Sequence, residues 1–260
     1  MAKKQKVEHT STRNPSYRII TVEQPLSLAA ESYRRIKTAL EFANVDKPPQ
    51  VIQLCSSMQG EGKSTTALNI AATYAEDSKK VIIVDLDFRR PKLHRSFHIE
   101  NKNGITDVLA GHISLKEAIK HGDNGIDILN SGGKIPYPTA VLGSENIVKV
   151  FEELRKMYEY IIVDCPPILA VSDAAIISRL CDGCLFVINQ CKTEKAAARE
   201  SVKILRDNGV NILGCIFVGI TAKNSNFYSS KYKYYYQNYL NEGDSNATQS
   251  NEVASEDKES

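Results

Sequence analysis

The sequence predicts an α/β fold, a mostly parallel sheet with helices on both faces. Three observations carry that expectation. Short apolar runs at 51–55, 81–85, 126–129, 160–164, 184–188 and 212–218 alternate with helical periodicity at 63–77, 145–157, 172–180 and 194–208, which is how strands buried on both faces read. A glycine-rich loop, Ser56 to Thr66, joins the first run to the first of those helices. Two runs end in acid, Asp85 and Asp164, and right-handed crossovers bring such strand ends to one edge, where ligands bind.

At 260 residues the chain holds one sizeable domain. A formal net charge of +2 sets up no global field for nucleic acid. The ends are uneven: Lys3, Lys4, Lys6, Arg13 and Arg18 stand against Glu8 in 1–18, and six acids stand against Lys258 in 241–260. Neither end has apolar periodicity, so both are expected to be disordered. The expected organisation is a basic N-terminus at 1–18, one domain at 19–223, a tyrosine cluster at 224–240 and an acidic tail at 241–260. No early apolar segment resembles a signal peptide, and no run approaches the roughly 20 apolar residues of a membrane helix. A cytoplasmic protein is expected, with any membrane attachment coming through a partner or a surface contact. The six cysteines read as reduced, mostly buried hydrophobes, and Cys181-x-x-Cys184 lacks a second pair for a metal site.

In chain order, 19–24 reads as a short extended lead ending at Pro25, followed by a helix from Ser27, its cap, to about Ala43. Glu31, Arg34 and Lys37 form a polar stripe on that helix, normally a solvated face and alternatively a self-association surface. Short helices are expected between 91 and 120, and a Gly- and Pro-rich loop at 131–138.

The loop Ser56-Ser57-Met58-Gln59-Gly60-Glu61-Gly62-Lys63-Ser64-Thr65-Thr66 has the chemistry of a phosphate cradle, the mark of a P-loop NTPase. Gly60 and Gly62 let backbone N–H groups turn inward, and the following helix points its positive end at the same place. Lys63 supplies a cation, and Ser64 a hydroxyl for Mg²⁺. Ser57 stands where such loops usually open with glycine. Asp164, and Asp85 with Asp87, bring hard oxygen ligands opposite the loop. Strand alternation places Asp85 and Asp87 on one side, so one can serve the Mg²⁺ shell while the other takes a proton. Arg89 and Arg90 are candidates to steady phosphate charge.

Beyond the last strand, Tyr228, Tyr232, Tyr234, Tyr235, Tyr236 and Tyr239 crowd among serine, asparagine and lysine, six of the twelve tyrosines. No packed core concentrates aromatics this way. They read either as stacking partners for single-stranded nucleic acid or as phosphoryl acceptors. A phenol with an ordinary pKa near 10 needs a base at neutral pH, the work left for Asp85 or Asp87.

Together, Gly60-Glu61-Gly62-Lys63-Ser64, Val84-Asp85-Leu86-Asp87-Phe88-Arg89-Arg90-Pro91, Val163-Asp164-Cys165-Pro166-Pro167 and the terminal tyrosines resemble the bacterial protein-tyrosine kinases that regulate capsular or exopolysaccharide synthesis. The resemblance, over about residues 20–240, implies that Lys63 and the loop 60–65 hold the phosphates of ATP. It implies that Ser64, Asp87 and Asp164 serve Mg²⁺, with Asp85 as general base. It further implies transfer to the tail between subunits of a ring, whose E-x-x-R-x-x-R contact is matched by Glu31 and Arg34 with Lys37 in third place. A membrane-anchored activator protein, exogenous protein substrates and a cognate tyrosine phosphatase follow as partners. An ATP-driven positioning switch is the alternative. A pure nucleic-acid binder would leave both acidic motifs without a use.

Overall fold

The computed structural model describes residues 18–43, 48–122 and 124–220. The basic stretch 1–17, the tyrosine cluster and the acidic tail lie outside the described residues. The order is α1 (Ile20–Glu23), α2 (Leu28–Glu41), β1 (Val51–Ser56), α3 (Lys63–Glu76), β2 (Val81–Asp85), α4 (Leu93–Ser96), α5 (Ile105–Leu109), α6 (Leu115–Ala118) and β3 (Lys120–His121). It continues through β4 (Ile126–Leu129), α7 (Pro138–Leu142), α8 (Glu145–Met157), β5 (Tyr160–Asp164), α9 (Asp173–Ile177), β6 (Gly183–Asn189), α10 (Lys195–Asp207) and β7 (Ile212–Val218).

One seven-stranded sheet runs β3-β4-β2-β5-β1-β6-β7, parallel except for β3. The pleat sorts each strand's side chains into two cores. Val51, Ile82, Val84, Ile161 and Val163 face Phe151 and Leu154 of α8, while Ile52, Leu54, Ile83 and Ile162 face Leu68, Ile70 and Tyr74 of α3. Each fully buried Ile or Leu contributes about 1.5–3 kcal/mol, so β1, buried along its length, fixes the frame. The loops after β1, β2 and β5 therefore emerge at one edge.

The expected alternation is present, with local differences. Residues 20–23 are helical rather than extended, because the Asn69 side chain on α3 accepts the N–H groups of Ile20 and Thr21. That cap is tertiary. Pro138 opens α7 inside the stretch read as loop, as proline suits a first helical turn. The helix expected at 172–180 is α9 followed by a 3-10 turn, Ser178–Leu180. Three cysteines, Cys55, Cys165 and Cys184, are buried, whereas Cys191 and Cys215 are exposed.

The α2 stripe is not simply a solvated face. Arg34 makes two bonds to Glu76 at 2.8 and 3.0 Å and one to the Pro25 carbonyl, and Lys37, almost fully buried, pairs with Asp77. Both acids belong to the end of α3, which tethers α2.

Candidate active site

β1 delivers the chain at Ser56 into a turn that needs left-handed backbone at Gly60 (φ 83°) and Gly62 (φ 100°). A Cβ on Gly62 would also press on Val218 at 3.2 Å. Gly62 caps α3, whose first residue is Lys63. The Lys63 ammonium pairs with one Asp164 oxygen, and the Ser64 hydroxyl donates to the other at 2.5 Å. Burial works to lower the Lys63 pKa, but the Asp164 carboxylate outweighs it and raises it, so the lysine stays charged. N–H groups of Ile168 and Leu169 donate to the carbonyls of Ser56 and Ser57, tying the loop after β5 to the glycine-rich loop.

Glu61 and Thr65 have less direct places. Glu61 is buried, and its carboxylate accepts the Met58 N–H at 2.9 Å and the Thr193 hydroxyl at 2.7 Å. It is a strut between the glycine-rich loop and the segment after β6, where Lys192 also donates to the Gly60 carbonyl. Thr65 lies half-buried in the first turn of α3.

Asp85 and Asp164 sit opposite each other in the sheet register, yet their partners differ. Asp85 has no exposed surface, and its oxygens accept the N–H groups of Asp87, Lys92 and Leu93 at 3.1–3.2 Å. Burial first, then the charge of Asp164, push its carboxyl up to about 7. Asp87 is beyond the strand, so alternation does not place the pair together. Its side chain accepts the Arg90 N–H at 2.9 Å and borders the cleft. Burial raises the Asp87 carboxyl, opposed by that N–H and by Lys63.

The cleft measures about 70 Å³, with Gly60, Lys63, Ser64, Asp87, Arg90 and Asp164 in its walls. Arg90 reaches the Gln59 side chain at 2.5 Å across this wall. Arg89 turns away and grips the buried Asp173 through two bonds at 2.8 and 3.2 Å, which Thr139 also joins. Asp173, Thr139 and Thr193 escaped the sequence reading, since no spacing ties them to their partners. The hard oxygens of Ser64, Asp87 and Asp164, beside a glycine cradle and a charged lysine, fit a Mg²⁺-nucleotide.

Residues 49–196 match the sequence family described as AAA domain. The chain is 39% identical over 202 residues to the tyrosine-protein kinase YwqD of Bacillus subtilis (strain 168), covering 77% of this chain and 85% of that protein. The chain belongs to the bacterial tyrosine-protein kinase family. This kinase is 31% identical over 218 residues to the tyrosine-protein kinase etk of Escherichia coli (strain K12), spanning 30% of that longer protein. The structure of the E. coli ETK kinase domain gives a TM-score of 0.76 at 30% identity, over 85% of this chain and 88% of that one. The chimerical protein CapA2B2 gives 0.74 at 30% identity, over 76% and 88%. The septum site-determining protein MinD of Pyrococcus horikoshii, complexed with Mg-ADP, is more distant, at 0.56 and 25% identity over 67% and 73%. The fold is that of a P-loop NTPase, and the enzyme is a protein-tyrosine kinase. Among the described residues no helix is long and apolar enough to cross a membrane.

Proposed function

We propose that this kinase uses Mg²⁺-ATP to phosphorylate Tyr228, Tyr232, Tyr234, Tyr235, Tyr236 and Tyr239 of a neighbouring copy, and so regulates capsular or exopolysaccharide synthesis. The observation that carries this reading is the convergence of Lys63, Ser64 and Asp164, with Asp87 at the same cleft. When bound, Mg²⁺-ATP supplies the phosphoryl group and neutralises its charge.

The chain's own groups divide the remaining work. Lys63, kept charged by Asp164, and the amides of 60–65 hold phosphate oxygens. Ser64, Asp87 and Asp164 hold the metal shell. Asp87, which shares the cleft wall with Asp164, would also take the tyrosine proton as the phenolic oxygen bonds to phosphorus and the bond to the departing diphosphate breaks. Asp85, enclosed by three backbone N–H groups, holds the loop that carries Asp87. Arg90 borders the same cleft and adds positive charge.

Glu31, Arg34 and Lys37 are the proposed contact of a ring-like homo-oligomer, with Arg34 and Lys37 exchanging or sharing their bonds to α3. A membrane-anchored activator protein would bring the cytoplasmic kinase to the inner face of the membrane, and exogenous tyrosine substrates and a cognate phosphatase would complete the circuit. The test is phosphotyrosine mapping after incubation with γ-labelled ATP and Mg²⁺. Replacing the six tail tyrosines with Phe is expected to remove most label and leave nucleotide binding intact. Full labelling of that variant would place the acceptors elsewhere.

A further inference from the structure

Helix α10 carries a charge pattern that the catalytic site does not use. Lys195, Arg199 and Lys203 follow one another at four-residue spacing, and Arg206 lies three further on, so all four share one exposed face. This pattern opposes helix stability. Like charges four apart repel, and Lys195 sits in the first turn, where the helix dipole disfavours a cation and the acid at hand is the N-cap residue Glu194. Among the described residues no carboxylate pairs with any of the four, the helix's own Glu200 and Asp207 included. Beneath the stripe, Ala198 and Val202 floor a groove of about 390 Å³ bordered by Arg199, Lys203 and Arg206, with Asp207 as its one acid. A row of cations left without an ion pair among the described residues points to a partner outside the described fold.

The rest of the chain offers one complementary segment. Residues 1–17 are basic, as are 221–240 with Lys223, Lys231 and Lys233, whereas 241–260 holds Glu242, Asp244, Glu252, Glu256, Asp257 and Glu259 against Lys258. Glu252, Glu256 and Glu259 recur at the four- and three-residue steps of the cations, and Val253 with Ala254 supplies apolar side chains between them. The chain leaves the described fold beside the stripe. The Val218 carbonyl accepts the Gln190 N–H, and the Cys191 thiol reaches the Gly219 carbonyl, just ahead of Lys192 and Lys195. From Ile220 to residue 241 an extended chain spans about 70 Å, against about 20 Å for the whole of α10.

We infer that the basic face of α10 docks the acidic segment 241–260 of the same chain. Lys192, at the head of the stripe, donates to the Gly60 carbonyl, so the docking face adjoins the nucleotide site. This docking is independent of which residues accept phosphate.

Carbodiimide cross-linking of the full chain, with peptides mapped by mass spectrometry, tests it. Links from Lys195 and Lys203 to Glu252, Glu256, Asp257 or Glu259 are expected, with loss in about 0.5 M NaCl, where the screening length is about 4 Å. The double variant Arg199→Glu and Arg206→Glu is expected to lose them with a Tm no lower than that of the parent chain, and Glu252→Lys with Glu256→Lys and Glu259→Lys to restore linking in that background. No links, or links spread evenly over the other exposed lysines, would overturn the inference. A mixture of ¹⁴N and ¹⁵N protein separates copies, and links found only between isotopes would assign the face to a neighbour. Vesicles rich in phosphatidylglycerol separate a lipid surface. Replacing the six acids with amides uncovers the stripe and raises vesicle pelleting if the segment docks there. Stripe-dependent pelleting that does not change would mean the face meets lipid instead.

Discussion

Asp85 and Asp164 end neighbouring strands, each directly after an Ile-Ile-Val run, and stand directly opposite each other in the sheet. Asp164 spends its oxygens on side chains, the Lys63 ammonium and the Ser64 hydroxyl. Asp85 spends its oxygens on backbone, the N–H groups of Asp87, Lys92 and Leu93. The first carboxylate faces the glycine-rich loop, and the second shapes the loop that carries Asp87. Equivalent sequence context therefore yields one acid bonded to side chains of the glycine-rich loop and α3 and another bonded to the backbone of its own loop. What separates them is the segment each strand feeds: β2 turns back over its own end toward α4, while the loop after β5 lies along the glycine-rich loop.

Breaking the Asp164 side should have the largest effect. Lys63→Met is expected to lower tyrosine labelling by about 10³-fold or more, the scale of charge-stabilising groups in phosphoryl transfer, read from γ-labelled ATP. Asp164→Asn leaves the buried lysine without its counter-charge, which costs about 3 kcal/mol. Thermal unfolding should show this as a fall of roughly 10 °C, alongside weakened Mg²⁺-ATP binding in calorimetry. On the Asp85 side, Arg89→Ala removes the clamp from Asp173. The guanidinium is partly exposed, so solvent screening reduces the loss to about 1 kcal/mol, visible as a small drop in urea midpoint.

The smallest effect lies at the opposite edge of the sheet, as a control distant from both acids. Asp182 accepts the N–H groups of Gln50 and Val51 and two bonds from Arg155. Burial works against ionisation, but Arg155 and those N–H groups hold its carboxyl below the usual range. The stability it gives is present above the ordinary carboxylate pKa near 4 and is lost as pH falls through the lower folded value. Asp182→Asn should flatten the acid limb of the stability curve without changing labelling at neutral pH, checked by denaturation at several pH values.

The sheet strands were legible because buried parallel strands are apolar on both faces, and β2 and β5 match their expected limits. The meeting of Lys63 with Asp164 was legible for the same reason: strand ends share an edge. Residues 20–23 were not, because Ile20-Thr-Val-Glu favours extension locally and is helical through Asn69, 46 or more positions away in sequence. Lys37 looked solvated because its partner, Asp77, is on another helix. Likewise, an Arg89 next to the acidic motif reads as a phosphate ligand until Asp173 is seen beneath it. Local pattern set the elements, and long-range polar pairing decided which charged groups face the cleft.

The division of labour between the two acids of β2 and its loop is tested most directly by single-turnover transfer, with thermal unfolding measured on the same preparations. Asp87→Asn should slow transfer by about 10²-fold or more at unchanged Tm. Asp85→Asn should lower Tm by several degrees, since an amide cannot accept all three N–H bonds, and should slow transfer less. Faster loss of transfer in Asp85→Asn, at unchanged Tm, would contradict the assignment and make Asp85 the group that meets the tyrosine.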